Sequence, residues 1–307
     1  MNYKSFYRAI LLFSLIASVV GGVFMALSII QSSDVSGVNM FSSSNIRFFD
    51  LVFWIFLCCA VACTVASLML RGKVAKRLGA DEGINRIVYN VMGVVLAITA
   101  VFGVLREFTA ESNGYDHGNM YVMFEKEIDG SISFSLLYFL FTIFLFATSF
   151  FCFYAGSAKC KREGGVFAGL SLIPVFAIIF KLIYDFLLQS GNSYGSLYNY
   201  HLIGLSFALL FFINEARFAM KISIPNIYVL FGLICASSTL IFSIPALLLF
   251  LVGKAGANWH PVFCVVDIVM VAYIYYRLFT LGVTSYVEQE EVAPKGVSLC
   301  EDADTPE

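Results

Sequence analysis

Eight long apolar runs occupy most of this sequence, and they restrict the fold more than any other feature does. Each run is about as long as the roughly 20 residues that an α-helix needs to cross the hydrocarbon core of a bilayer. The predicted spans are residues 9–30, 51–70, 87–105, 134–154, 166–188, 202–220, 227–251 and 261–281. We therefore predict an all-α integral membrane protein, folded as a bundle of about eight transmembrane helices.

The composition agrees with lipid as the solvent for most of the chain. Hydrophobic residues make up 60% of the sequence and charged residues 13%, against roughly 25% charged residues in a typical soluble domain. A water-soluble fold cannot bury that much apolar surface. The net charge of −2 offers no basic surface, so no nucleic-acid partner is predicted. The partner that the composition does predict is the lipid bilayer.

The eight cysteines do not follow the pattern of a disulfide framework, because most of them fall inside apolar runs. Cys59 and Cys63 are one helical turn apart, a spacing that also suits two ligands of one metal ion. No histidine or second cysteine pair completes a recognisable metal-binding pattern. Packing within a membrane helix is the interpretation that the spacing favours, and we predict neither a metal nor a cofactor.

Lysine and arginine are distributed unevenly between the two ends of the spans. All but five of the 19 basic residues face the cytoplasm if the N-terminus does, and basic residues near span ends stay on that side of the membrane. We therefore predict that both termini are cytoplasmic, an N-in/C-in arrangement. The first run is too long for the apolar region of a typical signal peptide, so it is predicted to be a retained span.

Two acidic segments lie outside the apolar runs. The loop 106–132 is predicted to be outside the cell, and the chain ends in the acidic segment 283–307, which contains only one basic residue, Lys295. That composition favours a solvated, disordered cytoplasmic tail, with docking of a partner as the alternative. The chain is thus divided into a transmembrane domain, 1–282, and a tail, 283–307.

Ionisable residues inside the spans are the strongest functional signal, because a charge in the hydrocarbon core costs at least about 2.5–3.5 kcal/mol. Lys181 and Asp267 are predicted to lie at similar depths, roughly 10 Å below the outer surface, so they can meet as an ion pair. Asp185 lies one turn from Lys181 on the same helix face and competes for it. The local Lys181–Asp185 pair is the favoured interpretation, and a polar site shared with Asp267 is the alternative.

A second group of polar residues is predicted near the cytoplasmic side. Glu215 and Arg277 fall at similar depths in the sixth and eighth spans, which makes a salt bridge between them geometrically suitable. Asn214 is adjacent to Glu215, and Arg86 and Asn90 are candidates to join from the third span. Hydrogen bonding between helices and a proton or substrate site account equally well for such a group.

Smaller sequence features bear on how the helices pack. Pro174 and Pro245 interrupt the fifth and seventh runs without forming a repeat. The pairs Gly22 with Ala26, and Gly165 with Gly169, are small-xxx-small patterns that allow close helix approach. The three histidines, His117, His201 and His260, are all predicted to lie outside the membrane.

The motifs of phosphate loops, zinc metalloproteases and serine hydrolases do not occur in the sequence, and we predict no enzymatic activity. The leading hypothesis is a transport-type membrane component, either a small permease or a membrane subunit of a larger complex, with Lys181, Asp267 or Glu215 facing a water-filled cavity. The alternative is a non-transporting sensor or scaffold that binds a membrane or cytoplasmic protein through the loop 106–132 or the acidic tail. We predict that the chain is a multi-pass protein of a cell membrane, namely the bacterial cytoplasmic membrane.

Overall fold

The computed structural model describes residues 3–31, 46–69, 82–112, 131–157, 165–190, 195–220, 222, 224–251 and 261–284. All regular structure within these residues is α-helical, as the sequence predicts. The helical segments are α1 (Tyr3–Gln31), α2 (Ile46–Met69), α3 (Glu82–Ser112), α4 (Ser131–Gly156), α5 (Gly165–Leu170), α6 (Ile173–Ser190), α7 (Gly195–Ala219), α8 (Pro225–Leu251) and α9 (Pro261–Thr284).

Seven stretches of the described residues are long and apolar enough to cross a membrane, and α5 and α6 together make one of them. The remaining long helix is α2, which has 24 residues but a shorter described apolar stretch, Trp54–Ala66. The prediction of a multi-span helical membrane protein is therefore confirmed. The N-in/C-in orientation stays a prediction, and so does the division at residue 282, because 285–307 lie outside the described residues.

The fifth span is a broken helix. The chain turns at Ser171 and Leu172 between α5 and α6, and Ser171 Oγ donates a hydrogen bond to the carbonyl oxygen of Ala168 over 2.8 Å. Pro174 lies in the first turn of α6, where its missing N–H leaves no helical bond unmade. Pro245 has a different effect from the one predicted, since α8 continues through it to Leu251.

Six helical segments form a ring in which each packs against the next: α3, α4, α6, α7, α8 and α9, with α9 returning to α3. Outside this ring, α1 packs against α8 and α9, and α2 packs against α1 and α8. Since α8 contacts α1, α2, α7 and α9, it is the most enclosed span, with 72% of its apolar window buried.

Apolar side chains cover the outside of the bundle, and charged side chains lie within it. Phe13, Ile87 and Phe102 are each at least 60% exposed, whereas Lys181, Glu215 and Asp267 are buried. Large exposed apolar faces of this kind require an apolar solvent. The distribution therefore places the helices in a lipid bilayer, with the ionisable groups turned away from the lipid.

Gly22 marks a close approach between α1 and α8. A Cβ atom added there would lie 2.9 Å from Cβ of Ile244 and 3.2 Å from the carbonyl oxygen of Leu240. The packing predicted for Gly22 is thus confirmed. Within the described residues, a Cβ added at Gly165 or Gly169 would meet no atom within 4 Å, so the same prediction is not confirmed for that pair.

This contrast predicts the effect of enlarging each glycine. Gly22→Leu is expected to lower the free energy of unfolding by about 1–3 kcal/mol, because the backbone of α8 cannot yield to the new side chain. Gly169→Leu, at a helical position with open space beside it, serves as the matched control and is expected to be neutral or slightly stabilising. Thermal unfolding in detergent compares the two, and equal loss in both variants would contradict the assigned contact.

Candidate functional site

The first buried ionic group, which we call the Lys181 cluster, comprises Lys181 and Asp185 of α6, His201 of α7, Ser243 of α8 and Asp267 of α9. All five side chains are buried. Lys181 Nζ donates a hydrogen bond to Asp267 Oδ1, and Ser243 Oγ donates to Asp267 Oδ2 over 3.3 Å. Four helices of the ring are thus joined through one carboxylate and its neighbours.

His201 lies at the centre of the Lys181 cluster. Its Nε2 is 2.7 Å from Asp185 Oδ2 and 3.4 Å from Lys181 Nζ. Its Nδ1 is 3.7 Å from Asp267 Oδ2 and has no hydrogen-bond partner. The ring stacks on Phe242 with centroids 4.2 Å apart. Each imidazole nitrogen therefore faces an oxygen of a different aspartate.

The prediction that His201 lies outside the membrane is wrong. Helix α7 begins at Gly195, earlier than the predicted span start at residue 202, so His201 is a helical residue with only 2% of its surface exposed. His201 and Glu215 are also spaced to lie on nearly the same face of α7, since 14 residues complete almost four turns. That spacing was the signal in the sequence that could have placed His201 inside.

The structure decides between the two pairings considered for Lys181. The ion pair with Asp267 is present, so the interpretation in which Lys181 is engaged by Asp185 alone is wrong. Asp185 is bonded by His201. The local pairing failed as a prediction because helical spacing reports only neighbours on the same helix, while α7 and α9 supply two stronger partners.

The second group, which we call the Glu215 cluster, comprises Glu215 of α7, Tyr228 of α8, Tyr273 and Arg277 of α9, and Tyr89 of α3. Glu215 Oε1 accepts hydrogen bonds from Arg277 Nε at 2.7 Å and Tyr273 OH at 2.8 Å, and Arg277 Nη2 lies 2.5 Å from the same oxygen. Glu215 Oε2 accepts from Tyr228 OH at 2.5 Å. The predicted Glu215–Arg277 salt bridge is confirmed.

Aromatic side chains surround this salt bridge. The hydroxyls of Tyr89 and Tyr273 are 3.0 Å apart, which extends the hydrogen-bonded chain from Glu215 to α3. The guanidinium carbon of Arg277 lies 5.9 Å from the centroid of the Tyr273 ring, within the range of a cation–π contact. Glu215 and Arg277 are thus fully compensated charges in an apolar environment.

The other polar residues predicted near Glu215 have different contacts. Asn214 Nδ2 donates to the carbonyl oxygen of Leu210 on its own helix, and its Oδ1 is buried without a hydrogen-bond partner. Asn90 lies against Gly156 of α4, where an added Cβ would meet its Oδ1. Helix α3 contributes Tyr89 to the cluster, and its Asn85 accepts a hydrogen bond from Tyr276.

An apolar cavity lies between α3, α4, α6, α7 and α9. Its lining includes Met92, Leu145, Ile178, Phe212 and Met270, together with Tyr89 and Tyr273. The cavity has a volume of about 60 Å³, which is room for several waters. Lys181, Glu215 and Asp267 do not line this cavity, and that one of them faces a water-filled space stays a prediction.

The cavity separates the two clusters along the helices. On α9, Val269 and Met270 of the lining fall between Asp267 and Arg277, which are ten residues or about 15 Å apart. On α7, Phe212 falls between His201 and Glu215. The lining on α9 runs from Val266, beside Asp267, to Tyr273, which belongs to the Glu215 cluster. The cavity therefore lies between the levels of the two clusters, and both clusters contain residues of α7, α8 and α9.

Within the described part of the chain, no group of three or more His, Cys, Asp or Glu side chains is placed to hold a metal ion. Cys59 and Cys63 are both buried. Comparison of the chain with protein-family models, with curated proteins and with solved structures gives no match.

Proposed function

We propose that this multi-pass membrane protein is a transport-type component, working either as a small permease or as the membrane subunit of a larger complex. The observation that carries the proposal is the order of features within the helix ring: a buried ionic cluster, a cavity and a second buried ionic cluster. Charges within a membrane are costly and are retained mostly where they serve ion or substrate movement.

In this proposal the two clusters are the closures at the two ends of the cavity. Each cluster links several helices through contacts that a relative movement of those helices would break. Opening one cluster while the other stays closed would give the cavity access to one side of the membrane at a time, as alternating access requires.

The broken fifth span supports the same proposal. Transporters commonly use interrupted helices near their substrate sites, where irregular backbone lines a cavity. Pro174, which follows the break between α5 and α6, is a lining residue of the cavity. The apolar lining favours a solute with an apolar body. The proposed roles of Lys181, Asp185, Asn214, Glu215, Asp267 and Arg277 are in such a pathway, and no catalytic role is assigned to them.

The test is flux into liposomes containing the purified protein, with a panel of solutes that differ in apolar character. Asp267→Asn and Glu215→Gln each remove one charge from a closure with little change in shape, and each is expected to reduce flux at least about tenfold, which corresponds to about 1.4 kcal/mol in the barrier. Ser206→Ala is the control, because Ser206 is an exposed residue of α7 bonded only to its own helix backbone.

The proposal is rejected if folded wild-type protein moves no solute of the panel and no protons. The sensor or scaffold hypothesis would then be the better one. It stays a prediction at present, because residues 113–130 of the outer loop and all of 285–307 lie outside the described residues.

A further inference from the structure

His201 occupies a position that the transport proposal does not use. Its two ring nitrogens face Asp185 of its neighbour α6 and Asp267 of α9, at 2.7 Å and 3.7 Å. A carboxylate oxygen can only accept a hydrogen bond, and both nitrogens of an imidazole donate only when the ring carries two protons. Nε2–H can donate to Asp185, and a second proton on Nδ1, which has no hydrogen-bond partner, would face Asp267 Oδ2 across 3.7 Å, a favourable electrostatic contact that is longer than a hydrogen bond.

The net charge of the Lys181 cluster also favours a second proton on His201. With a neutral imidazole, one lysine faces two aspartates and the buried cluster has a net charge of −1. With an imidazolium the net charge is zero, and the group contains two complete ion pairs, Lys181–Asp267 and His201–Asp185. A net charge buried within a membrane is unfavourable, so the closed arrangement matches a bound proton.

Resting on the transport proposal above, we propose that the coupling ion of this protein is a proton and that it is bound at His201 between Asp185 and Asp267. The proton comes from water on one side of the membrane and leaves to water on the other. It joins and leaves a ring nitrogen, and no other covalent bond is formed or broken.

Loss of that proton has a structural consequence at Lys181. Asp185 is then left without its imidazolium partner, and the nearest cation is Lys181, one turn away on the same helix. Lys181 moves toward Asp185, and its ion pair with Asp267 weakens. The ion pair that ties α6 to α9 is thus strong when His201 is protonated and weak when it is not, which links proton binding to closure of this end of the cavity.

Among the described residues, two cysteine side chains are also within electrostatic range of the cluster. Cys235 of α8 and Cys264 of α9 both interact with Asp267 and Lys181 and are buried. Neither thiol contributes to the ion pairs. A Cys235→Ala/Cys264→Ala variant is therefore expected to keep the proton dependence of the wild type, which isolates the effect of His201.

The first experiment observes the proton directly. The chain has three histidines, so His117→Gln/His260→Gln leaves His201 as the only one. The ¹⁵N shifts of labelled histidine in lipid nanodiscs then report its protonation from about pH 5 to about pH 8. We expect both the doubly and the singly protonated ring to be observed across these samples, and a ring with one unchanged protonation state throughout would overturn the proposal.

The second experiment measures coupling. A pH gradient across the liposome is expected to stimulate wild-type flux more than about fivefold, the lower end of typical coupling, and to leave flux through His201→Gln unchanged. Asp185→Asn is expected to abolish the stimulation, because the Lys181–Asp267 pair then balances the cluster alone and a proton on His201 would leave it with a net charge of +1. If His201→Gln responds to the gradient as the wild type does, the proton site is wrong and the transport proposal survives. If His201 changes its protonation state but the wild type moves no solute, the transport proposal and the coupling fail, and only the proton site at His201 stands.

Discussion

Arg277→Met is expected to lower the free energy of unfolding by about 3–5 kcal/mol, the usual effect of removing one partner of a buried ion pair. The substitution removes the cationic partner of Glu215, which is only 3% exposed, and leaves the hydroxyls of Tyr228 and Tyr273 as the partners that the structure gives it. Those two neutral donors do not replace the charge of the guanidinium. The measurement is equilibrium unfolding in mixed micelles, followed by circular dichroism.

A double variant makes the cause identifiable. In Glu215→Gln/Arg277→Met both charges are removed, and the glutamine oxygen can still accept a hydrogen bond from a tyrosine. Most of the lost stability is expected to return, because replacing both members of a buried pair is far less harmful than breaking it. Arg217→Met, on the same helix as Glu215, is the control for loss of a positive charge and is expected to stay within about 0.5 kcal/mol of the wild type. A double variant as unstable as the sum of its single changes would contradict the pairing.

Lys181→Met is expected to combine a loss of about 3–5 kcal/mol with loss of flux. It leaves Asp185 and Asp267 in one buried cluster without the lysine that pairs with Asp267. The expected second effect is a permanently weakened link between α6 and α9, so that this end of the cavity no longer closes. Unfolding and liposome flux are measured on the same preparation.

The matched comparison for Lys181→Met is a double-mutant cycle, in which Lys181→Met and Asp267→Leu are measured singly and together. If the two residues pair as described, the double variant is expected to be more stable than the single changes predict, by about 0.5–3 kcal/mol. Additive effects would show that the pair contributes no coupling. Asp185→Leu in place of Asp267→Leu tests the local pairing by the same cycle, and a larger coupling there would reverse the assignment made from the structure.

The positions of the spans were predictable because lipid leaves the backbone few alternatives. A peptide group in hydrocarbon must bond within its own segment, so an apolar run of sufficient length becomes a helix whatever its neighbours are. The start of α7 and the end of α3 were the least accurate boundaries, and at the start of α7 Tyr198, Asn199 and Tyr200 precede the apolar run. Polar residues at that point suggested a loop, and the helix contains them.

The candidate site was only partly predictable for a related reason. Lys181, Asp185, Glu215, Asp267 and Arg277 stand out in the sequence because charges are rare in spans. The Glu215–Arg277 bridge also followed from matching depths, since depth can be counted along a helix. The roles of these residues in a pathway are still proposals, because neither the composition nor the contacts measure movement of a solute.

The sequence by itself thus determined how many apolar helices the chain forms, roughly where each begins and ends, and which charged residues lie within them. Only the tertiary structure decided the partners. It joined Lys181 to Asp267, gave Asp185 to His201, brought Tyr89, Tyr228 and Tyr273 around Glu215, and left an apolar cavity between the two clusters. The physical reason is that spacing along one helix fixes depth and facing direction within that helix, whereas contact between helices depends on which of them are neighbours and how each is rotated.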